Sequence, residues 1–168
     1  MFLKSVTPIL LYGCEVWGFV NTDLIERLHL KFCKLLMCVK KSTPNYMVYG
    51  ELGAYPMDIY IKIRMLGYWA KLLSQKDDKL SKVFYNLLYN KYSLNEFNSK
   101  WLLHIKHTLD SSGYSNLFMT QKWLNESLKL RLFDQYQQTW KCDVLNSSKG
   151  VNYRIYKKIL VSKIILIY

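Results

Sequence analysis

Seven glycines and three prolines are all the backbone punctuation in this 168-residue chain. Sandwiches and barrels turn every few residues and need far more of both, so their scarcity favours long helices joined by few turns. Hydrophobic residues make up 51% of the chain and aromatic residues 15%, enough to bury a core without a metal or a disulfide. Disordered, collagen-like and low-complexity chains are excluded on the same grounds. The expected fold is all-α, an irregular bundle of about seven helices with an ambiguous C-terminal tail.

Caps and periodicity place the helices. Thr7 as N-cap with Pro8 at the first helical position opens a short apolar helix ending near Trp17. A second runs from Asp23 to about Val39. Its Leu24, Ile25, Leu28, Phe32, Leu35, Leu36 and Val39 fall within about 120° of arc, which predicts one buried face. Thr43-Pro44 opens a third helix that stops at Gly53, and Pro56 opens a fourth that reaches Ser74 or Gln75. The fourth carries a broad apolar face of Ile59, Ile61, Ile63, Met65, Leu66, Trp69, Leu72 and Leu73 and is expected to be central. Lys62 intrudes on that face and must pair or snorkel. A fifth helix spans about Leu80 to Lys91, and Ser93-Leu94-Asn95-Glu96 reads as a capping box opening a sixth that ends at Ser111-Ser112-Gly113. The seventh covers about Leu117 to Lys141. From Val151 to Tyr168 the chain is ambiguous, being rich in β-branched and aromatic residues, and reads as helix to about Leu160. Without repeats or a Gly/Ser-rich linker, the expected organisation is two helical segments, 1–76 and 77–168, packed together.

Twenty-four Lys and Arg against twelve Asp and Glu give a net charge of +12, which points to a polyanionic partner. On the second helix Arg27, Lys31, Lys34 and Lys41 recur at steps of 4, 3 and 7, forming a basic rail. Such a rail contacts phosphates along a groove or is simply a solvated face. On the fourth helix Tyr60, Arg64, Tyr68 and Lys71 alternate rings with charges, followed by Gln75. That strip suits base stacking beside phosphate neutralisation, and equally suits packing against a neighbouring helix.

Catalytic and metal chemistry find no foothold. Cys14, Cys33, Cys38 and Cys142 lack disulfide-framework or metal-knuckle spacing and read as reduced, mostly core thiols. His104 and His107 share a helix side, but no further ligand completes a metal set. Asp77-Asp78 reads as a turn or cap rather than a two-metal site. No P-loop, dinucleotide or hydrolase motif is present, so no cofactor or metal is expected. The N-terminal apolar run is too short for a signal peptide, and the apolar tail is about half a membrane span. These features fit an intracellular protein without a membrane partner. The sequence leaves the oligomeric state open.

The segment from Pro8 to Gly18, PILLYGCEVWG, resembles a signature that follows the palm in reverse transcriptases of non-LTR (LINE-type) retrotransposons. Glu26–Lys34, Lys40–Asn45, Val48–Gly53 and Tyr55-Pro56 resemble the next segments of that family in the same order. Lys100-Trp101-Leu102, Asp134-Gln135-Tyr136 with Trp140, and Ser148–Lys157 resemble the helical region after them. The resemblance implies a thumb and post-thumb region, with Arg27, Lys31, Lys34, Lys40 and Lys41 facing RNA, DNA or their hybrid. It also implies a palm that would pack on the first helix. The palm's metal-binding aspartates have no counterpart here, so a non-catalytic fragment is expected. A helical protein-interaction module and a truncated retroelement relic without selected function are the alternatives. On the relic reading, Leu10, Leu11, Val16 or Trp17 should be unusually exposed.

Overall fold

A computed structural model describes residues 5–20, 22–121, 127–147, 151–153 and 155. The protein is all-helical, with no strand among the described residues. The helices are α1 (Thr7–Leu10), α2 (Cys14–Trp17), α3 (Asp23–Leu36), α4 (Asn45–Leu52), α5 (Met57–Ser74), α6 (Leu80–Ser93), α7 (Lys100–Ser111), α8 (Ser115–Thr120) and α9 (Ser127–Asn146). None of the described helices is long and apolar enough to cross a membrane. Two compact units form, each from two stretches of chain: residues 1–26 with 57–132, and residues 27–56 with 133–168. The boundaries fall within α3, between α4 and α5, and within α9.

The first unit is organised by α5. Met57, Ile59, Ile61, Met65, Leu66, Trp69 and Leu72 are all buried along it, each contributing about 1.5–3 kcal/mol. This matches the expected central helix. Lys62 pairs with Asp58 at 2.7 Å, one turn away. Glu26 accepts a hydrogen bond from the Met57 N–H at 2.7 Å, satisfying one of the donors that a helix start leaves open. Against α5 lies α2, and at Gly18, just after α2, an added Cβ would clash with Ile61 Cγ2 and sit 2.8 Å from Met65 Sδ. Any side chain at position 18 would prise the two helices apart. Leu102, Ile105 and Leu109 of α7 and Leu117 and Phe118 of α8 are also buried in this core.

Several expected boundaries shift. Thr7 is not an N-cap but the first, buried residue of α1, and α1 and α2 are separate turns parted at Gly13. Ser93 does not open a helix. It ends α6, its hydroxyl donating to the Asn90 carbonyl at 2.8 Å. Asn95 takes the left-handed conformation that closes a helix C-terminus, with the Glu96 N–H reaching back to the Lys91 carbonyl at 2.9 Å. α7 begins seven residues later than Ser93, behind Ser99. The expected seventh helix is interrupted by a left-handed Gln121, so that α8 and α9 are distinct. Of the expected final helix, residues 151–153 and 155 are helical; the rest of it, and the tail after it, lie outside the described residues.

All four cysteines are free. Cys14 and Cys33 are buried, whereas Cys38 and Cys142 are exposed, so only half of the thiols belong to the core. Burial, reinforced by the neighbouring Glu15 charge, pushes the Cys14 thiol above its ordinary pKa. A colorimetric thiol titration of the native protein at pH 8 is expected to show two fast sites, Cys38 and Cys142. The other two should appear only with denaturant; four equally fast sites would contradict this packing.

Candidate nucleic-acid interface

α3, which belongs to the second unit from Arg27 onward, does not present its apolar arc inward. Leu24, Leu28, Leu35 and Leu36 are 75%, 45%, 67% and 62% exposed, and Ile25, Phe32 and Val39 are half-buried. The buried positions are His29 and Cys33. They share a helix face with Glu26 at 100° per residue, and two specific contacts fix that rotation. One is the Glu26 cap on α5; the other is His29 against the Tyr49 ring, with centroids 5.7 Å apart. The predicted buried face is thus corrected: a hydrogen bond and a ring contact go with a face turned by roughly a quarter of the circumference, and the leucines come to lie beside the cations.

The basic rail survives this rotation. Arg27 and Lys31 are exposed, and Lys34 is half-buried. After Leu36 the helix stops at Cys38, which is left-handed at φ +53°, while the Val39 N–H bonds back to the Lys34 carbonyl at 3.1 Å. This closing turn reverses the chain. Lys34 Nζ then donates to the Lys41 carbonyl at 2.9 Å, holding the backbone at Lys41 against the helical part of the rail. Arg27, Lys31, Lys34 and Lys41 line one groove of about 470 Å³ together with Leu30, Leu35, Val39 and Asn45, the first residue of α4. No described carboxylate lines it. Lys40 is exposed next in sequence but is not in its wall.

The α5 strip behaves differently. Arg64 donates to the Leu11 carbonyl at 2.9 Å and lies 3.8 Å from the Glu15 carboxylate, binding α5 to the α1–α2 segment. Tyr68 packs edge-on to Trp101, whose indole N–H donates to the Glu15 carbonyl at 2.8 Å. Gln75 accepts from the Ser81 hydroxyl at 2.5 Å, and Tyr60 is half-buried. Only Lys71 of the four candidates is exposed. The strip's alternating pattern is therefore largely absorbed by packing within the first unit.

A second cavity of the second unit was not visible in the sequence. Tyr49, Tyr55, Tyr136 and Trp140 line it, with Gln137 and Lys141. Its residues come from α4, the turn after it and α9, and no local spacing announces them.

Of the histidines, His107 is exposed and His104 half-buried, and no described group of three His, Cys, Asp or Glu could hold a metal. Burial holds both His29 and His104 below the ordinary histidine pKa; for His104 the nearby Lys62 adds to the effect, and Asp58 opposes it. Both therefore sit neutral in the fold, while the unfolded chain protonates them near pH 6.5. Their contribution to stability is full above that value and is lost as pH falls through it toward the lowered folded values. Melting temperature is expected to be level from pH 8 to 7 and to fall below about pH 6.5. His29→Phe should flatten part of that acid limb. An unchanged limb would place its origin elsewhere.

Comparison with known proteins finds no match for this chain: no family model, no curated protein and no solved structure.

Proposed function

We propose that this protein binds the phosphate backbone of RNA, DNA or their hybrid through the α3 groove, without catalysing a reaction itself. The observation that carries this reading is one groove walled by Arg27, Lys31, Lys34 and Lys41 with no described carboxylate in it. In a chain of net charge +12, such a wall concentrates cations where a phosphate chain can displace its counterions. The ordered motifs from Pro8 onward support an origin in the thumb and post-thumb region of a LINE-type reverse transcriptase, acting inside the cell. Of the four residues expected to be exposed on the relic reading, Val16 is 61% exposed, Leu11 is buried, and Leu10 and Trp17 are half-buried.

A second reading, a helical protein-interaction module, is favoured by the exposed leucines of α3. Binding of labelled single-stranded and duplex oligonucleotides across a salt series separates the two. The nucleic-acid reading expects log affinity to fall linearly with log salt, and a flat line or no binding at low salt would sink it.

A further inference from the structure

The aromatic cavity of the second unit has the chemistry of a nucleobase site. Tyr55 is wedged edge-on between Phe133 and Tyr136, with ring centroids 4.5 and 5.5 Å away. Its hydroxyl accepts from Gln137 Nε2 at 3.1 Å, and the Trp140 indole donates to the Tyr46 carbonyl at 2.7 Å. The walls are thus held in place before any ligand arrives. Gly50 keeps α4 against one of them: a Cβ there would lie 2.7 Å from Trp140 Cζ2.

Size and charge narrow the occupant. The cavity measures about 180 Å³, below the roughly 300–1,000 Å³ of drug-sized sites, so it takes one ring system. Aromatic walls also receive alkylammonium groups. Here Lys141 lines the cavity and no described carboxylate does, which disfavours a cation and favours a planar group attached to an anion. Gln137 adds an amide capable of pairing with a base edge. The position agrees. Asn45, at the start of α4, lines the basic groove, while Gly50 and Gly53 line the cavity, so α4 separates them by roughly 8–12 Å at its rise per residue. Both belong to one unit.

Building on the groove assignment, we infer that this cavity accepts one unpaired base of a single strand whose phosphates lie along Arg27, Lys31, Lys34 and Lys41. A duplex keeps its bases stacked and cannot enter. The chain therefore discriminates strandedness through the cavity and supplies affinity through the groove.

The test uses the full chain with a twelve-nucleotide oligouridine, the same strand with abasic sites, and a duplex of equal phosphate number. Expected are a loss of about 5–150-fold for the abasic strand and weaker duplex binding at the same salt. A 5-iodouridine strand should cross-link to Tyr55, Tyr136 or Trp140, located by mass spectrometry. Lys141→Ala, at an exposed position, should weaken the uridine strand while leaving the melting temperature unchanged. Equal salt-dependent binding of all three ligands, with cross-links elsewhere, would overturn the base site and leave the groove standing. No binding of any of them would overturn both.

Discussion

Replacing Arg27, Lys31 and Lys41 together by alanine is expected to reduce affinity for single-stranded nucleic acid by about two orders of magnitude at 0.1 M salt. Each neutralised phosphate on a single strand contributes about 0.7 to the log–log salt slope, so removing three cations should flatten the slope by about 2. On duplex DNA the corresponding change is nearer 2.7, and the loss correspondingly larger. Lys34 is left in place because its ammonium holds the Lys41 carbonyl, and truncating it would disturb the turn that builds the groove. The matched control removes three exposed cations of the other unit, Lys76, Lys79 and Lys91, for the same change in net charge. If binding depends on the groove, the control keeps its slope. If both variants lose affinity equally, net charge alone drives association and the groove has no special part. The measurement is fluorescence anisotropy at five or more salt concentrations, with circular dichroism confirming that the variants fold.

That experiment probes the portion of the site that was legible in the sequence. Cations at helical spacing stay on one stripe whichever way the helix is rotated, so the rail through Arg27, Lys31 and Lys34 could be read directly. The burial of α3 could not. Counting apolar residues assigns its inner face to Leu24, Leu28 and Leu35, but a carboxylate capping α5 and an imidazole on Tyr49 choose another face. Helix stops at Gly53 and Gly113 were readable. Ser93–Glu96 misled because Ser and Asn serve both ends of helices, and whether they open or close one depends on the carbonyls already in need of donors. The aromatic cavity lay beyond reach for a different reason. Tyr55 and Gln137 are 82 residues apart, and their meeting is a consequence of tertiary packing that local periodicity does not encode. The same logic explains why the α5 strip looked like an interface: alternating rings and charges also serve a helix that must bind its neighbours on several sides.

The strongest test of the fold lies at the centre of that helix. Trp69 has no exposed surface, stacks on Phe118 with ring centroids 6.3 Å apart, and donates its indole N–H to the Tyr85 hydroxyl at 2.8 Å. Tyr85 in turn donates to Gln121, the left-handed residue that terminates α8. One side chain thus ties α5 to α6 and α8. Trp69→Ala should cost about 3–5 kcal/mol through the cavity it opens, a large share of the 5–15 kcal/mol typical of a folded domain. Trp69→Phe keeps most of the volume and loses the donor, so a smaller loss of about 1–2 kcal/mol is expected. Urea unfolding followed by near-ultraviolet circular dichroism would measure both, and an alanine variant within 1 kcal/mol of the parent would contradict this packing. Alkaline titration supplies an independent readout, because burial pushes the Tyr85 phenol up to about 12 from 10. A folded value above the unfolded one gives stability that is full below pH 10 and is lost as pH rises through about 12. In Trp69→Ala, water reaching the vacated space would relieve that burial. The alkaline loss of stability attributable to Tyr85 should therefore shrink in the variant, which a mere volume effect without solvent entry would leave unchanged.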